Sequence, residues 1–135
     1  MGRASGNGER GIRYAMAKKH KLQFQDRSVT VDGQSWATEK PVIDAVLINE
    51  TVLLIFDCRE YPENKAARNL EGFNLDGQRL WVAENPTDTP NEAYAEFLAD
   101  DEGAVANSVD VGDLSGFRCS IDINTGKLVN VVYTK

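Results

Sequence analysis

The sequence predicts a mainly β fold: an antiparallel meander that forms a two-layer sandwich or a small, partly open barrel, with one short α-helix. Three observations support this prediction. Short runs alternate apolar and polar residues, which is the period of a half-buried strand. Turn sequences that contain glycine separate these runs. About seven to nine strands are expected, and such a sheet must cover its apolar face with a second layer or by closing on itself.

The strands of the first half of the chain are expected as hairpins. Residues 22–24 and 29–31 alternate, and the Asp32-Gly33 pair that follows suits a two-residue turn. Residues 42–48 and 51–57 are almost continuously apolar. Such runs are typical of central strands that are covered on both faces.

The expected helix lies near residues 90–99. Thr89 supplies a capping oxygen, Pro90 suits the first helical position, and Glu92 completes a capping box. An apolar face follows at spacings of three and four residues. It consists of Ala93, Tyr94, Phe97 and Leu98.

Loops and further hairpins fill the rest of the chain. Residues 58–68 are polar and predict a loop, and a hairpin is expected to close on Asp76-Gly77. Residues 104–111 predict a strand. The segment 117–133 alternates on both sides of Asn124-Thr125-Gly126, which predicts a final hairpin.

Two of these hairpins are similar in sequence. Residues 73–81 read FNLDGQRLW, and residues 121–129 read IDINTGKLV. Both resemble the blade-closing hairpin of β-propeller repeats of the pyrroloquinoline-quinone dehydrogenase type, roughly A-x-D-x-x-T-G-K-x-x-W. The first ends in Trp81, whereas the second carries Asp122 and Thr125-Gly126-Lys127.

The resemblance is limited to these hairpins. In the second, Asn130 stands near the place of the terminal tryptophan. A propeller needs at least about four blades, and a chain of this length is expected to hold two at most, so the quinone cofactor is not expected. As a whole, the pattern resembles small uncharacterised bacterial proteins that end in a D-x-x-T-G-K turn and a T-K terminus, which supports the fold and implies no function.

The length of 135 residues suits one domain, expected at residues 21–135. Residues 1–20 predict a disordered basic arm, because residues 1–15 are rich in Gly and Arg and lack periodicity. We expect the biological chain to start at Met16, with a leader or expression-derived segment before it. No secretory signal and no membrane-spanning stretch is seen, so a cytoplasmic, soluble protein is expected.

The charge is unevenly distributed. Residues 1–21 carry a balance of +5, whereas the remaining segment has nine Lys and Arg against twenty Asp and Glu, a balance of −11. Such a surface repels nucleic acid and attracts a basic protein partner. The commoner alternative is that the acidic surface serves solubility alone.

No catalytic, cofactor-binding or metal-ligating residues are expected. The one histidine, His20, lies in the basic arm, where no third group orients it as a base. Cys58 and Cys119 are too far apart in sequence for a zinc motif and are expected to be free thiols, although a bridge between the two strands stays open. Phosphate-binding glycine motifs are absent from the sequence.

These observations favour a non-enzymatic cytoplasmic protein-binding module, such as an acidic inhibitor or immunity-type protein. Its acidic residues would steer association, and Tyr61, in a polar loop, would serve as an anchor. The candidate partner-binding residues are Tyr61, Asp88, Asp100, Asp101, Glu102, Asp110 and Asp113. The alternative is a small-molecule-binding protein or a carboxylate-based hydrolase, which requires a cavity with convergent polar groups. A third class is a structural subunit that completes a sheet with a partner strand.

Overall fold

The computed structural model describes residues 12–14, 20–98 and 107–133, and only the backbone of residues 12–14. These residues form three four-stranded antiparallel sheets in which strands follow in sequence order. The first sheet contains β1 (Ile12–Tyr14), β2 (Lys21–Gln25), β3 (Ser28–Val31) and β4 (Gln34–Ala37). The second contains β5 (Val42–Ile48), β6 (Thr51–Phe56), β7 (Leu70–Phe73) and β8 (Arg79–Val82). The third contains β9 (Tyr94–Phe97), β10 (Ser108–Asp113), β11 (Phe117–Asp122) and β12 (Leu128–Tyr133).

The second sheet lies between the other two, because its strands carry apolar side chains on both faces. On β6, Val52, Leu54 and Phe56 belong to a core shared with the first sheet. Leu53 and Ile55 belong to a separate core shared with the third sheet. All six residues of β6 are buried, which confirms the prediction of strands covered on both faces.

This arrangement corrects the expected architecture. The fold has three layers where the sequence predicts two, and no barrel closes in the described part of the chain. The expectation of two blades at most is also wrong, since three four-stranded units are present. The strands are short, between three and seven residues, so one unit needs fewer residues than expected.

The prediction of a helix at residues 90–99 is wrong. Residues Tyr94–Phe97 form β9, which pairs with β10. The buried side chain of Asn69 holds this strand: its Oδ1 accepts the N–H of Tyr94, and its Nδ2 donates to the carbonyl of Tyr94, both over 2.9 Å. Tyr94 and Phe97 are three residues apart, and both side chains are buried. A register shift in the β9–β10 pairing accompanies this spacing. The only helical element of residues 20–98 and 107–133 is a 3-10 turn at Cys58–Glu60.

Two tryptophans join neighbouring sheets by the same contact. Trp36 on β4 lies against Gly77 in the β7–β8 turn, and Trp81 on β8 lies against Gly126 in the β11–β12 turn. A Cβ at either glycine would overlap the indole ring, so the contact requires glycine. Trp81 also donates its Nε1–H to the carbonyl of Ile123 over 2.9 Å. Trp81 is buried in the core between the second and third sheets, and Trp36 is half-buried against the core between the first and second.

The two ends of the stack lack this contact. A Cβ added at Gly33, in the β3–β4 turn of the first sheet, would meet nothing within 4 Å. On β12, Asn130 pairs with Ser120 where a further tryptophan would have to stand. On the outer face of the first sheet, the hydroxyl groups of Thr30 and Ser35 form a 2.7 Å hydrogen bond.

The N-terminal arm contributes one described strand. β1 pairs antiparallel with β2, so residues 12–14 extend the first sheet. Nearby, His20 Nδ1 lies 2.6 Å from Asp32 Oδ2, which fixes this histidine to the β3–β4 turn. Disorder in the rest of the arm stays a prediction, because those residues lie outside the described part. Among the described residues, no helix has the length and apolar character needed to cross a membrane.

The tryptophan–glycine contact predicts the cost of two glycine substitutions. Gly126 and Gly33 both have a positive φ, of 79° and 84°, but only Gly126 lies under an indole ring. We expect Gly33→Ala to cost about 1 kcal/mol of backbone strain and Gly126→Ala to cost about 3 kcal/mol or more. Urea denaturation measures both values. Equal losses would show that the ring does not pack against this turn.

Candidate functional site

A cleft of about 540 Å³ lies between the second and third sheets. One wall is the 3-10 turn with the loop that follows it, and the other combines the segment before β9 with the β10–β11 turn. The lining residues are Cys58, Arg59, Tyr61, Pro62, Glu63, Lys65, Ala67, Asn91, Glu92, Ala93, Leu114 and Ser115. The cleft thus forms where connections of two sheets meet.

Asp57 builds the first wall. Its side chain accepts the backbone N–H of Arg59 over 3.0 Å and so caps the 3-10 turn. The Arg59 side chain returns to the same carboxylate at 2.7 Å, and this contact lowers the pKa of Asp57. Tyr61 then packs against the core between the first and second sheets. The Lys40 ammonium lies 4.9 Å from the centre of the Tyr61 ring. Burial raises the pKa of Tyr61 well above its usual range.

The second wall is held by backbone hydrogen bonds to both sheets. Asn91 adopts a positive φ of 40°, which ends the turn that begins at Thr89. The carbonyl of Glu92 accepts the N–H of Ala67 over 2.9 Å. The carbonyl of Ala93 accepts the N–H of Leu114, also over 2.9 Å. The sequence that predicts a capping box therefore forms a strap between the two sheets.

Glu92 and Asp113 form a buried carboxyl pair behind this wall. Glu92 is only 1% exposed, and its Oε1 accepts the hydroxyl of Thr87 over 3.0 Å. Asp113 Oδ1 accepts the N–H groups of Ser115 and Phe117 over 3.0 and 2.8 Å. The remaining oxygens, Glu92 Oε2 and Asp113 Oδ2, are buried without a donor. The two carboxyl groups lie close enough for a protonated Glu92 to donate a hydrogen bond to Asp113.

This environment changes the proton affinity of Glu92. Its pKa is raised to about 7, first by burial and then by the contact with Asp113, while the hydroxyls of Thr87 and Ser115 act in the opposite direction. Cys119 lies close by, and burial raises the pKa of its thiol to about 12. Near neutral pH a substantial fraction of Glu92 therefore keeps its proton and can donate it to Asp113.

The described members of the sequence-predicted partner-binding set lie in different settings. Tyr61 lines the cleft, Asp113 lies behind its wall, and Asp88 is exposed. Asp110 is paired within its own sheet, with Arg118 at 2.8 Å, and this hydrogen bond lowers its pKa. The remaining members, Asp100, Asp101 and Glu102, lie outside the described residues. Sequence reasoning assigned Glu92 only to a helix cap and missed its contact with Asp113, which no local pattern signals.

Residues that bind cofactors or metals are not evident. Among the residues that the structure describes, no group of three or more His, Cys, Asp or Glu side chains could hold a metal ion. Cys58 and Cys119 are free thiols. Both unpaired carboxylate oxygens are shielded from solvent, so a substrate in the cleft does not reach them without movement of the wall.

A second notable surface is the edge formed by β12. This strand is the outermost of the third sheet. Val129 and Tyr133 are 61% and 59% exposed, and Val131 and Val132 are also exposed. The strand itself carries no charge, and Lys127 stands just before it. An uncharged apolar edge is a template for pairing with another strand.

Comparisons with known proteins identify a family and a fold. A family model described as "Domain of unknown function (DUF7957)" matches residues 19–133. No curated protein matches the sequence. Among solved structures, the β-propeller domain of Cps50 (Swd1) from Myceliophteria thermophila shares 13% identity, with a TM-score of 0.66, over 93% of this chain and 44% of that one. BamB from Moraxella catarrhalis shares 17% identity, with a TM-score of 0.57, over 92% of this chain and 34% of that one.

The computationally designed Ika4 protein is a further structural neighbour. It shares 17% identity, with a TM-score of 0.58, over 100% of this chain and 82% of the designed chain. At such identities the likeness concerns the fold alone. The chain spans about a third of the length of BamB and less than half of the Swd1 domain. The similarity to a β-propeller domain agrees with the resemblance of the two hairpins to propeller blades.

The carboxyl pair predicts how stability depends on pH. The folded pKa of Glu92, about 7, lies above the ordinary value of 4.5. Its contribution is therefore complete below pH 4.5 and declines as pH rises to about 7. We expect the free energy of unfolding to fall by roughly 1–3 kcal/mol across this window. Urea denaturation from pH 4.5 to 8 measures it.

Glu92→Gln is the matched variant, because its amide can donate to Asp113 at every pH. We expect this variant to lack the decline and to exceed the wild type in stability at pH 8. Asp110→Asn is the control, since Asp110 is a carboxylate on the same strand as Asp113 and its lowered pKa affects stability only in acid. A decline of equal size in Glu92→Gln would contradict the assignment.

Proposed function

Because this chain belongs to the DUF7957 family, a domain of unknown function, we propose its function from its own geometry. In this proposal the chain is a non-enzymatic cytoplasmic protein-binding module. The β12 edge carries this proposal. It receives an extended segment of a basic partner, and the acidic surface of the domain attracts that partner. An inhibitor or immunity-type role is one form of this function.

β4, β8 and β12 are the last strands of the three sheets in chain order. Comparison of these strands supports β12 as the binding edge. β4 and β8 have four residues each, and each docks a tryptophan onto the next sheet. β12 has six residues, and its polar Asn130 stands at the place of that tryptophan. Main-chain groups of such an edge supply affinity, and the exposed side chains supply specificity.

The charge of the domain supports a basic partner. Residues 22–135 carry a balance of −11, which accelerates the encounter with a positively charged protein at low salt. The ion pair between Asp110 and Arg118 neutralises one of the proposed steering residues. In this proposal, Asp88 and the acidic run at residues 100–102 steer the basic partner toward the domain. Their charge reversal should slow association mainly at low salt.

The test is affinity capture with the full chain as bait, at low and high salt. We expect a basic protein to be recovered at low salt and depleted at high salt. The combined substitution Val129→Lys and Val132→Glu should weaken binding of that protein by roughly tenfold or more. The glutamate would lie opposite Arg118 in the β11–β12 register, so the sheet should keep its stability.

Leu80→Lys is the matched control, because Leu80 is an apolar residue on β8 with a similar exposure of 53%. It should bind the captured protein as the wild type does. Equal capture by the β12 variant, or equal loss in the control, would show that this edge is not the binding surface. Recovery of no specific protein at either salt would favour a small-molecule function.

The alternative class, a small-molecule-binding protein or a carboxylate-based hydrolase, is supported by the cleft between the second and third sheets. It has a volume of about 540 Å³ and presents both charged and apolar side chains. The shielding of the carboxyl pair from solvent favours binding over hydrolysis. A ligand screen by thermal shift, with Tyr61→Ala as the cleft variant, distinguishes this class from protein binding.

A further inference from the structure

Two buried carboxyl groups connect the wall of the cleft to the third sheet. Glu92 belongs to the strap before β9, and Asp113 ends β10 at the turn that contains Ser115. The backbone on either side of this pair carries the hydrogen bonds that close the wall. These bonds join Ala67 to Glu92 and Leu114 to Ala93, each at 2.9 Å.

The hydrogen bonds of the two carboxyl groups leave one oxygen on each without a donor. Glu92 Oε1 and Asp113 Oδ1 have their donors, whereas Glu92 Oε2 and Asp113 Oδ2 are buried and have none. Two ionised carboxylates in contact repel each other, and each would leave a buried acceptor unsatisfied. One proton between the two oxygens satisfies both.

We propose that the buried Glu92 keeps a proton, donates it to Asp113 and so forms a pH-sensitive latch, which holds the strap at residues 91–93 against the β10–β11 turn and keeps one wall of the cleft closed. When the proton is lost, two negative charges stand in contact in a buried place. The strap then separates from the turn, and water reaches the carboxylates. The state of the cleft wall thereby follows pH.

Among the described residues, the groups that face the pair supply no positive charge that could replace the proton. The titratable groups that face it are Tyr94 of β9 and Cys119 of β11. Burial raises the pKa of both, so they stay neutral between pH 5 and 8. Thr87 and Ser115 contribute hydroxyl groups. None of these four side chains carries a positive charge, so opening is the way in which the doubly ionised pair gains solvation.

The location of the oxygens separates a latch from a catalytic pair. Two carboxyl groups that share a proton also occur in acid–base catalysis, where substrate and water reach them. Here both unpaired oxygens are shielded from solvent. The polar groups at the cleft surface, Arg59, Glu63 and Lys65, are instead exposed at its rim. The pair therefore controls the wall and does not form the reactive surface.

Amide hydrogen exchange tests the latch, because two backbone N–H groups report on it directly. The N–H groups of Ala67 and Leu114 donate across the closed wall. After correction for the intrinsic pH dependence of exchange, we expect their protection factors in the full chain to fall at least tenfold between pH 5 and 7.5 and then to level off. Amides of β6 should not show this step.

Three variants make the test specific. In Glu92→Gln and in Asp113→Asn, an amide group can donate across the pair at every pH, so protection of the two reporters should not depend on pH. Asp110→Asn leaves the pair intact and should keep the wild-type step. Constant protection in the wild type would overturn the latch. A step of wild-type size in whichever amide variant folds would overturn it as well.

Discussion

The β5–β6 hairpin has no polar face, and this constraint shapes the molecule. A strand with alternating side chains can rest on a single layer, but every residue of β6 is apolar or buried and both of its faces need cover. The first sheet covers one face and the third sheet covers the other, which produces two separate cores. One strongly apolar hairpin therefore determines a three-layer fold.

The two surfaces proposed for function follow from this stacking. The cleft lies where the connections of the second and third sheets meet, and its wall depends on the contact of Glu92, just before β9, with Asp113 at the end of β10. The β12 edge stays open because its strand is the last of the third sheet and Asn130 stands where β4 and β8 carry a docking tryptophan. Within the described residues, the same contact therefore joins the first sheet to the second and the second to the third.

Several features of the fold could be predicted from the sequence because they depend on local patterns. The apolar runs at residues 42–57 indicate doubly covered strands without any knowledge of their neighbours. The helix prediction failed because Thr89, Pro90 and Glu92 serve a tight turn as well as a helix start. The choice between the two is made by Asn69, whose side chain binds the backbone of Tyr94 from 25 residues away. Local capping signals carry no information on such a contact.

The candidate site could be predicted only in part, for the same reason. Tyr61 was correctly placed in a polar loop, and it does line the cleft. Glu92 and Asp113 are far apart in sequence, because β9 and most of β10 lie between them. Only the pairing of β9 with β10 brings them into contact. Asp110 appeared as a free acidic residue, but Arg118 on the neighbouring strand occupies it. Acidic residues that look equivalent in sequence therefore have different roles in the folded chain.

Native-state hydrogen exchange of the full chain tests the central constraint most directly. If the second sheet is covered on both faces, the amides of β6 exchange only through global unfolding, and their exchange free energy equals that measured by denaturation. The amides at the free edge of β12 should exchange through much smaller openings. Exchange of the β6 amides as fast as that of β12 would show that one face of the hairpin is open and would contradict the three-layer fold.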